Sequence, residues 1–260
     1  MINYFISLFL LVNVGTLMAA SENPSKDVAS PVLVELFTSE GCSTCPPADG
    51  LLQELDRSQP VAGEQLIVLS EHVDYWNSIG WADPYSSSFF SDRQNSYGAH
   101  FKLASVYTPQ MVVDGAAEFV GGDPRLANQS FEKAREPEKI PVHLSSISWE
   151  DASTLRAHVE AGPLPASAGA RRAEVYLVAA LDHAESQVLR GENKGRRLTH
   201  VAVVLSMTKI GTTEKGKGFA EEVHIKLDAR RNLAQLRVVA FVQEPGPGRV
   251  LGAAIERITK

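Results

Sequence analysis

The first half of the chain carries apolar runs separated by one stretch of helical spacing. Residues 32–37 are apolar apart from Glu35 and rich in branched side chains, which is typical of a buried strand. Residues 48–55 place leucines at helical spacing, and residues 66–70 form a second apolar run. A strand, a helix and a strand in this order predict a β-α-β unit with parallel strands.

The region that follows predicts a helical insertion and then a hairpin. Residues 73–104 are rich in aromatic side chains, and we expect a helix over residues 86–100 that packs over the sheet. Residues 110–113 predict a strand, Asp114-Gly115 a hairpin turn, and residues 118–120 the return strand. Asp123 and Pro124 suit the N-cap and first turn of a helix that ends near Arg135.

Beyond about residue 141 the pattern becomes one of strands alone. Seven apolar or alternating runs cover residues 142–149, 155–161, 174–181, 200–207, 222–227, 236–243 and 250–258. Turn-forming stretches separate them, as in an antiparallel β-sandwich. The pattern therefore predicts an α/β domain over residues 30–138 and an all-β, antiparallel sandwich-like domain over residues 141–260.

The N-terminal 20 residues resemble a secretory signal peptide. Residues 1–20 contain no charged side chain, and residues 5–14 are nearly all apolar. An uncleaved anchor is the alternative, although the apolar run is short for a spanning helix, which needs about 20 residues. No later stretch is long enough, so we predict an exported, periplasmic or secreted protein with no stable membrane span after cleavage. A net charge of −6 disfavours nucleic acid as a partner.

Cys42 and Cys45 are the only cysteines in the sequence, and they form a Cys-x-x-Cys motif where the first helix should begin. Export places them where disulfides persist, and a helix N-terminus favours the reactive thiolate. We therefore predict thiol–disulfide exchange in which Cys42 attacks and Cys45 resolves the mixed disulfide. A passive disulfide and a zinc or copper site are the alternatives, but a closed zinc site needs four ligands. We predict no metal and no cofactor, and protein thiols, protein disulfides or a redox partner protein as partners.

Thr108 and Pro109 form the second motif, directly before the strand at residues 110–113. A proline in this position can be cis, and beside a cysteine pair its backbone could pair with an extended substrate.

The two motifs together resemble the thioredoxin fold. More narrowly, the chain resembles a family of exported bacterial proteins with a thioredoxin-like domain, catalogued as domain of unknown function 1223. The resemblance is carried by residues 34–49, 72–76, 80–81, 107–115 and, in the second half, 191–193, 195–196, Leu198 and His200. It implies a thioredoxin-like N-terminal domain, a redox-capable pair and a cis-Pro109, but no substrate. Gly41 and the two prolines after Cys45 depart from typical thioredoxins and leave the direction of electron flow open.

Three further residues are candidates for the site. Glu35 could accept the proton of Cys45 if burial raises its pKa, or it could simply be paired with a nearby donor. His72 could tune Cys42 or line a substrate groove, or it could order the aromatic insertion. Trp76 could form a peptide-binding ledge or belong to the core.

A basic segment in the second half stands out in this acidic chain. It carries Arg190, Lys194, Arg196 and Arg197. It is either a solvated loop or a docking element for the first domain or for an acidic partner.

Three functions fit these patterns. The leading one is a thiol–disulfide oxidoreductase of the cell envelope. The alternatives are a peptide- or copper-binding module that uses the cysteine pair as ligand or redox switch, with His72 as a further copper ligand, and a purely structural envelope protein.

Overall fold

The computed structural model describes Met1, residues 29–134 and residues 138–260. The signal peptide predicted over residues 1–20 lies outside the described residues apart from Met1. Arg135, the expected end of the third helix, lies outside them as well.

The elements predicted for the first half are confirmed to within a few residues. They are β1 (Ser30–Thr38), α1 (Pro46–Ser58), β2 (Glu64–His72), a 3-10 helix (Tyr75–Ile79), α2 (Ser88–Phe101), β3 (Gln110–Val113), β4 (Ala117–Val120) and α3 (Pro124–Ala134). The strands β1 and β2 are parallel, and β3 pairs antiparallel with both β1 and β4.

Local side-chain chemistry explains why these elements begin and turn where they do. The Ser87 hydroxyl accepts a hydrogen bond from the Phe89 N–H and caps α2. The Asp123 carboxylate does the same for the Arg125 N–H at the start of α3, at 2.9 Å. Asp114 and Gly115 both have positive φ angles, 50° and 61°, as a tight hairpin turn requires.

All seven strands predicted for the second half are present. They are β5 (Val142–Trp149), β6 (Thr154–Ala161), β7 (Arg172–Gln187), β8 (Arg197–Glu214), β9 (Phe219–Lys226), β10 (Gln235–Gln243) and β11 (Val250–Thr259). The strands β7 and β8 have 16 and 18 residues, about twice the predicted length, and form one long antiparallel hairpin.

The predicted fold class, a thioredoxin-like α/β domain followed by a separate all-β sandwich, is wrong. The chain is mostly β, and one mixed eight-stranded sheet has the order β11-β10-β7-β8-β2-β1-β3-β4. Strands from both halves therefore share one sheet. A second, three-stranded sheet has the order β5-β6-β9. The boundary predicted between residues 138 and 141 stays a prediction.

The physical reason for this difference lies at the edges of β2. Its residues from Leu66 to His72 are buried, and an unpaired edge on a buried strand would leave N–H and C=O groups without partners. β1 covers one edge, and β8 covers the other through a parallel pairing of Ser70 with Val203. Periodicity locates strands but does not choose their partners.

Three apolar cores stabilise this arrangement. Alternate β1 residues enter two of them: Val34 and Leu36 pack under α1 and α3, while Leu33 and Phe37 pack under α2. The α2 core also contains side chains of β7 and β10, so α2 spans both halves of the sheet. The third core lies between the three-stranded sheet and the strands β7 and β10 of the eight-stranded sheet.

Arg237 of β10 joins the two halves electrostatically. Its side chain is 1% exposed and pairs with Asp56 of α1 at 2.6 Å and with Asp182 of β7 at 2.5 Å.

Candidate active site

The cysteine pair lies in the connection between β1 and α1. The Cys42 N–H donates to the Ser39 carbonyl, and the Cys45 N–H donates to the Cys42 carbonyl, so the motif is folded as consecutive turns. A disulfide joins the two residues, whose Cα atoms are 5.5 Å apart. Both cysteines are fully buried, at 0% exposure, whereas Ser43 and Thr44 between them are exposed. A reaction partner therefore has to approach the disulfide past Ser43 and Thr44.

The helix begins later than the sequence indicates. Cys45 is the N-cap of α1 and Pro46 is its first residue, so Cys42 precedes the helix by a full turn. The two prolines have no N–H, and the N–H groups of Ala48 and Asp49 donate to the Cys45 carbonyl. Free helix N–H groups do not face Cys42. The Thr44 hydroxyl, 3.4 Å from the Cys42 sulfur, is the polar group that contacts it.

Trp76, Thr108 and Pro109 are brought to the same edge of the sheet. The Trp76 indole N–H donates to the Thr108 hydroxyl at 2.9 Å, and the Thr108–Pro109 bond is cis, as the resemblance implies. A Cβ atom on Gly41 would lie 3.0 Å from the Trp76 Cβ atom, so the backbone before Cys42 packs directly on this tryptophan.

Gly121 fixes the loop of Pro109 against α1. Its N–H donates to the Pro109 carbonyl at 3.0 Å. A Cβ atom there would come within 2.8 Å of Leu36 and 3.3 Å of Ala48, which follows the cysteine motif. A side chain here would require Leu36 or Ala48 to shift, and the Pro109 loop lies beside the start of α1.

Glu35 lies on the other face of β1, under α2. Its two carboxylate oxygens accept hydrogen bonds from Arg93 at 2.6 Å and from the Tyr97 hydroxyl at 2.5 Å. Burial raises the pKa of the neighbouring Glu71 well above its usual range, and the charge of Glu35 raises it further. The role of Glu35 as proton acceptor for Cys45 stays a prediction.

His72 is fully buried and belongs to a hydrogen-bonded pair. Its Nδ1 atom lies 2.7 Å from Asp83, whose carboxylate also accepts the Glu40 N–H at 2.8 Å. Burial acts to raise the pKa of Asp83, but the charge and hydrogen bond of His72 lower it below the usual range. His72 thus holds the segment before Cys42 in place through Asp83, and its role in substrate binding stays a prediction.

His200 of β8 is a site residue that the sequence did not single out for this role. Its ring is edge-on to His72, with centroids 4.7 Å apart. Its Nε2 atom lies 3.4 Å from Glu40 and its Nδ1 atom 3.8 Å from Asp49. Burial lowers its pKa, but its contacts with Asp49 and Glu40 outweigh burial and raise the pKa to about 10. His200 is therefore a buried imidazolium at neutral pH.

Hydrogen bonds from other side chains hold the two carboxylates that face His200. The Trp81 indole donates to Glu40 at 2.8 Å, and the Thr38 hydroxyl donates to Asp49 at 2.9 Å. Glu40 precedes the cysteine motif and Asp49 follows it in the first turn of α1. We call Glu40, Asp49, His72, Asp83 and His200 the carboxylate–histidine cluster. Its signal in the sequence was the pair of acids that flank the motif.

A loop from the second half covers the cysteine motif. We call residues 188–196, between β7 and β8, the cover loop. The Asn193 side-chain amide is fully buried and donates to the carbonyls of Glu40 and Cys42, at 2.9 Å each. The Glu192 carboxylate accepts the Ser43 N–H at 3.2 Å. The loop therefore closes over the pair by contacts with its backbone.

Two classes of feature are not seen in the described residues. Within residues 29–134 and 138–260, no group of three or more His, Cys, Asp or Glu side chains is arranged to hold a metal ion. No helix in the same part of the chain is long and apolar enough to span a membrane.

Comparison with solved structures supports the observed fold. A crystal structure of a protein from Agrobacterium tumefaciens is 24% identical and has a TM-score of 0.64, over 87% of this chain and 94% of that one. HBP35 of Porphyromonas gingivalis is 15% identical and has a TM-score of 0.68, over 88% of this chain and 75% of that one. At these identities the likeness shows the fold alone. A comparison with curated proteins finds no match.

Comparison with family models identifies the chain more specifically. The model described as "Protein of unknown function (DUF1223)" matches residues 33–243, which confirms the family resemblance seen in the sequence. Because the match spans most of the chain, the protein belongs to the DUF1223 family.

Proposed function

We propose that the protein is a thiol–disulfide oxidoreductase of the cell envelope that acts through Cys42 and Cys45. One observation carries the proposal: the chain's only two cysteines form a disulfide at the start of α1, beside Trp76 and the Thr108–Pro109 loop. The disulfide closes a loop of four residues, for which chain entropy gives only about 2 kcal/mol of stabilisation. A stabilising role alone therefore accounts poorly for the position of this bridge.

The exchange step balances as follows when the protein acts as oxidant. A substrate thiolate attacks the Cys42 sulfur, the Cys42–Cys45 bond breaks, and Cys45 leaves as a thiolate that takes up a proton. A second substrate thiolate then attacks the substrate sulfur of the mixed disulfide and releases Cys42, which is also protonated. The substrate loses two electrons and forms a disulfide, and the protein gains two electrons and two thiols. The reverse sequence reduces a substrate disulfide.

The surroundings of the pair support Cys42 as the attacked or attacking sulfur. Its sulfur contacts the hydroxyl of the exposed Thr44, and Asn193 and Trp76 lie against its backbone segment. Because Cys42 is closed off in this state, exchange requires the cover loop or the exposed Ser43-Thr44 turn to move. Cys45 is the N-cap residue of α1 and its carbonyl accepts two helix N–H groups, which suits the resolving role.

The test is the redox equilibrium of the purified mature protein in glutathione or dithiothreitol buffers, read by thiol alkylation. We expect a potential between about −270 and −120 mV, where reductants and oxidants of this kind lie. A disulfide below about −300 mV that exchanges with no substrate would show a structural bridge instead.

Two single variants test the division of labour between the sulfurs. Cys45→Ser should accumulate a mixed disulfide with a disulfide substrate, because the Cys42 thiolate displaces one substrate thiol and no resolving thiol follows. Cys42→Ser is the matched control and should accumulate none. Equal trapping by both variants would contradict the assignment.

We also propose that the protein is exported. The apolar residues 5–14 and the lone cysteine pair support this, because disulfides persist in oxidising compartments. Residues 1–29 fused to a reporter that is active only after export should give activity. A fusion that starts at residue 21 should not.

A further inference from the structure

The outer side of the cover loop is cationic, although the whole chain has a net charge of −6. Arg190, Lys194 and Arg196 are exposed, and within residues 29–134 and 138–260 no ion pair engages them. The neighbouring Arg197 differs, because Glu185 binds its guanidinium at 2.5 Å. The loop therefore carries three positive charges against one negative charge, that of Glu192, whose carboxylate accepts the Ser43 N–H.

The inner side of the same loop is fixed to the cysteine motif. Asn193 donates to the Cys42 carbonyl at 2.9 Å, and Arg190 and Lys194 lie on either side of it in the chain. Because Cys42 has 0% exposure, a partner that reaches its sulfur has to displace this loop or the Ser43-Thr44 turn, which contacts the loop through Glu192. The loop is thus part of the surface that any macromolecular partner meets first.

Apolar side chains adjoin the charges. Leu189 is 62% exposed and Ile79, at the end of the 3-10 helix, is 53% exposed. The two segments are in contact, since a Cβ atom on Gly191 would lie 3.2 Å from Trp81 and 3.6 Å from the Ile79 carbonyl oxygen. Cationic side chains beside exposed apolar ones suit a polypeptide with acidic and apolar residues better than a uniform polyanion.

We propose that the cover loop is the docking surface for an acidic segment of the protein whose thiols or disulfide react with Cys42 and Cys45. This proposal rests on the proposed function and names the substrate class of the same site. Complementary charge raises association rates by roughly 10 to 1,000-fold, and salt weakens the effect. The preference for acidic partners should therefore be kinetic and salt-dependent.

The experiment measures exchange rates of the reduced protein with three disulfides. Two are synthetic peptides of equal length, each with one intrachain disulfide, one rich in Asp and Glu and the other rich in Lys. The third is the small uncharged 2-hydroxyethyl disulfide. Rates are compared at about 10 and about 150 mM salt, where the Debye length falls from about 30 to about 8 Å.

The test variant reverses all three charges: Arg190→Glu, Lys194→Glu and Arg196→Glu. Wild type should react with the acidic peptide roughly tenfold faster or more than with the basic one at low salt, with a smaller ratio at high salt. The triple variant should invert this preference. Its rate with 2-hydroxyethyl disulfide should stay that of wild type, which shows that the pair itself is intact.

The matched control makes the same charge change elsewhere: Arg171→Glu, Lys217→Glu and Lys226→Glu. All three residues are exposed. The first two lie at the other end of the β7–β8 hairpin, roughly 50 Å along the strand at about 3.3 Å per residue. The control should keep the wild-type preference.

Several results would overturn the proposal. Equal rates for the two peptides, or an unchanged preference in the triple variant, would rule out the docking role. If exchange with 2-hydroxyethyl disulfide still occurs, the proposed oxidoreductase function is unaffected. Absence of exchange with all three disulfides, as in Cys42→Ser, would remove both. If the triple variant loses binding to phosphatidylglycerol vesicles but keeps its peptide preference, the loop serves an anionic membrane and not an acidic polypeptide.

Discussion

Replacing His200 by glutamine should remove a buried positive charge that Glu40 and Asp49 both face. The carboxylates approach the ring at 3.4 and 3.8 Å, and the imidazole side chain is 1% exposed. Burial opposes the charge of His200, yet the two acids raise its pKa from 6.5 to about 10. The variant leaves both acids buried without their cation, which costs about 3–5 kcal/mol when one partner of a buried pair is removed.

The sign of the pH dependence follows from the direction of this shift. His200 holds its proton in the folded state up to a pH of about 10, whereas the unfolded chain releases it near pH 6.5. Its stabilisation is fully present below pH 6.5 and is lost as the pH rises through about 10. Inside this window the folded state binds one more proton, so the free energy of unfolding falls by about 1.4 kcal/mol per pH unit. Across the window this amounts to roughly 5 kcal/mol.

The assay is urea unfolding of the oxidised wild type and His200→Gln between pH 6 and 10.5, with the disulfide intact so that no thiol titrates. The difference in free energy of unfolding should be largest at pH 6 and should shrink toward pH 10. The exposed His143→Gln is the matched control and should follow wild type at every pH.

A difference that stays constant from pH 6 to 10.5 would refute the reasoning, because His200 would then titrate alike in the folded and unfolded states. A difference that grows with pH would refute it as well. If the variant does not fold, the NMR signal of the His200 ring in wild type decides the matter. It should show no titration below about pH 9.

The observed contacts predict the effects of four further substitutions. Gly121→Ala places a Cβ atom 2.8 Å from Leu36 and should lower the free energy of unfolding by about 1–3 kcal/mol. Gly50→Ala, on the open face of α1, should raise it by about 0.5–1 kcal/mol. The opposite order in urea unfolding would contradict both. Arg237→Met should cost about 2–3 kcal/mol in the same measurement, because it removes the buried cation of Asp56 and Asp182 and leaves them the exposed Arg257, at 3.4 and 3.5 Å. A loss below 1 kcal/mol would contradict this. Asn193→Ala removes two hydrogen bonds of the cover loop, worth about 1 kcal/mol each. Reduction of the disulfide by dithiothreitol should become roughly 30-fold faster. An unchanged rate would contradict this.

Local structure in this chain was predictable because its causes are local. Strand periodicity, the Asp114-Gly115 turn and the Asp123 cap each depend on neighbouring residues, and each is found where the sequence indicates. The length of β7 and β8 was not predictable in the same way, because the residues that extend the predicted runs, such as 182–187 and 208–214, are more polar and join the sheet through the β7–β8 pairing.

Glu35 shows where alternation stops being sufficient. Alternation along β1 puts its side chain on the same face as Leu33 and Phe37, and the structure has it there, under α2. The sequence does not indicate which helix covers which face of β1. Because α1 packs on the side of Val34 and Leu36, the helix that follows the cysteine pair lies across the sheet from the Glu35 carboxylate.

The error in fold class and the residues missed at the site have a single cause. Ser70 of β2 pairs with Val203 of β8, and this pairing joins the second half to the sheet of β1 and β2. His200 lies just before Val203 in β8, and the cover loop with Asn193 precedes β8 directly. The structure places the His200 ring against His72 and the Asn193 amide against the Cys42 carbonyl, near the carboxyl ends of β1 and β2. A sequence interpretation that keeps the second half in its own sandwich cannot place either residue near Cys42, whereas the shared sheet places both at once.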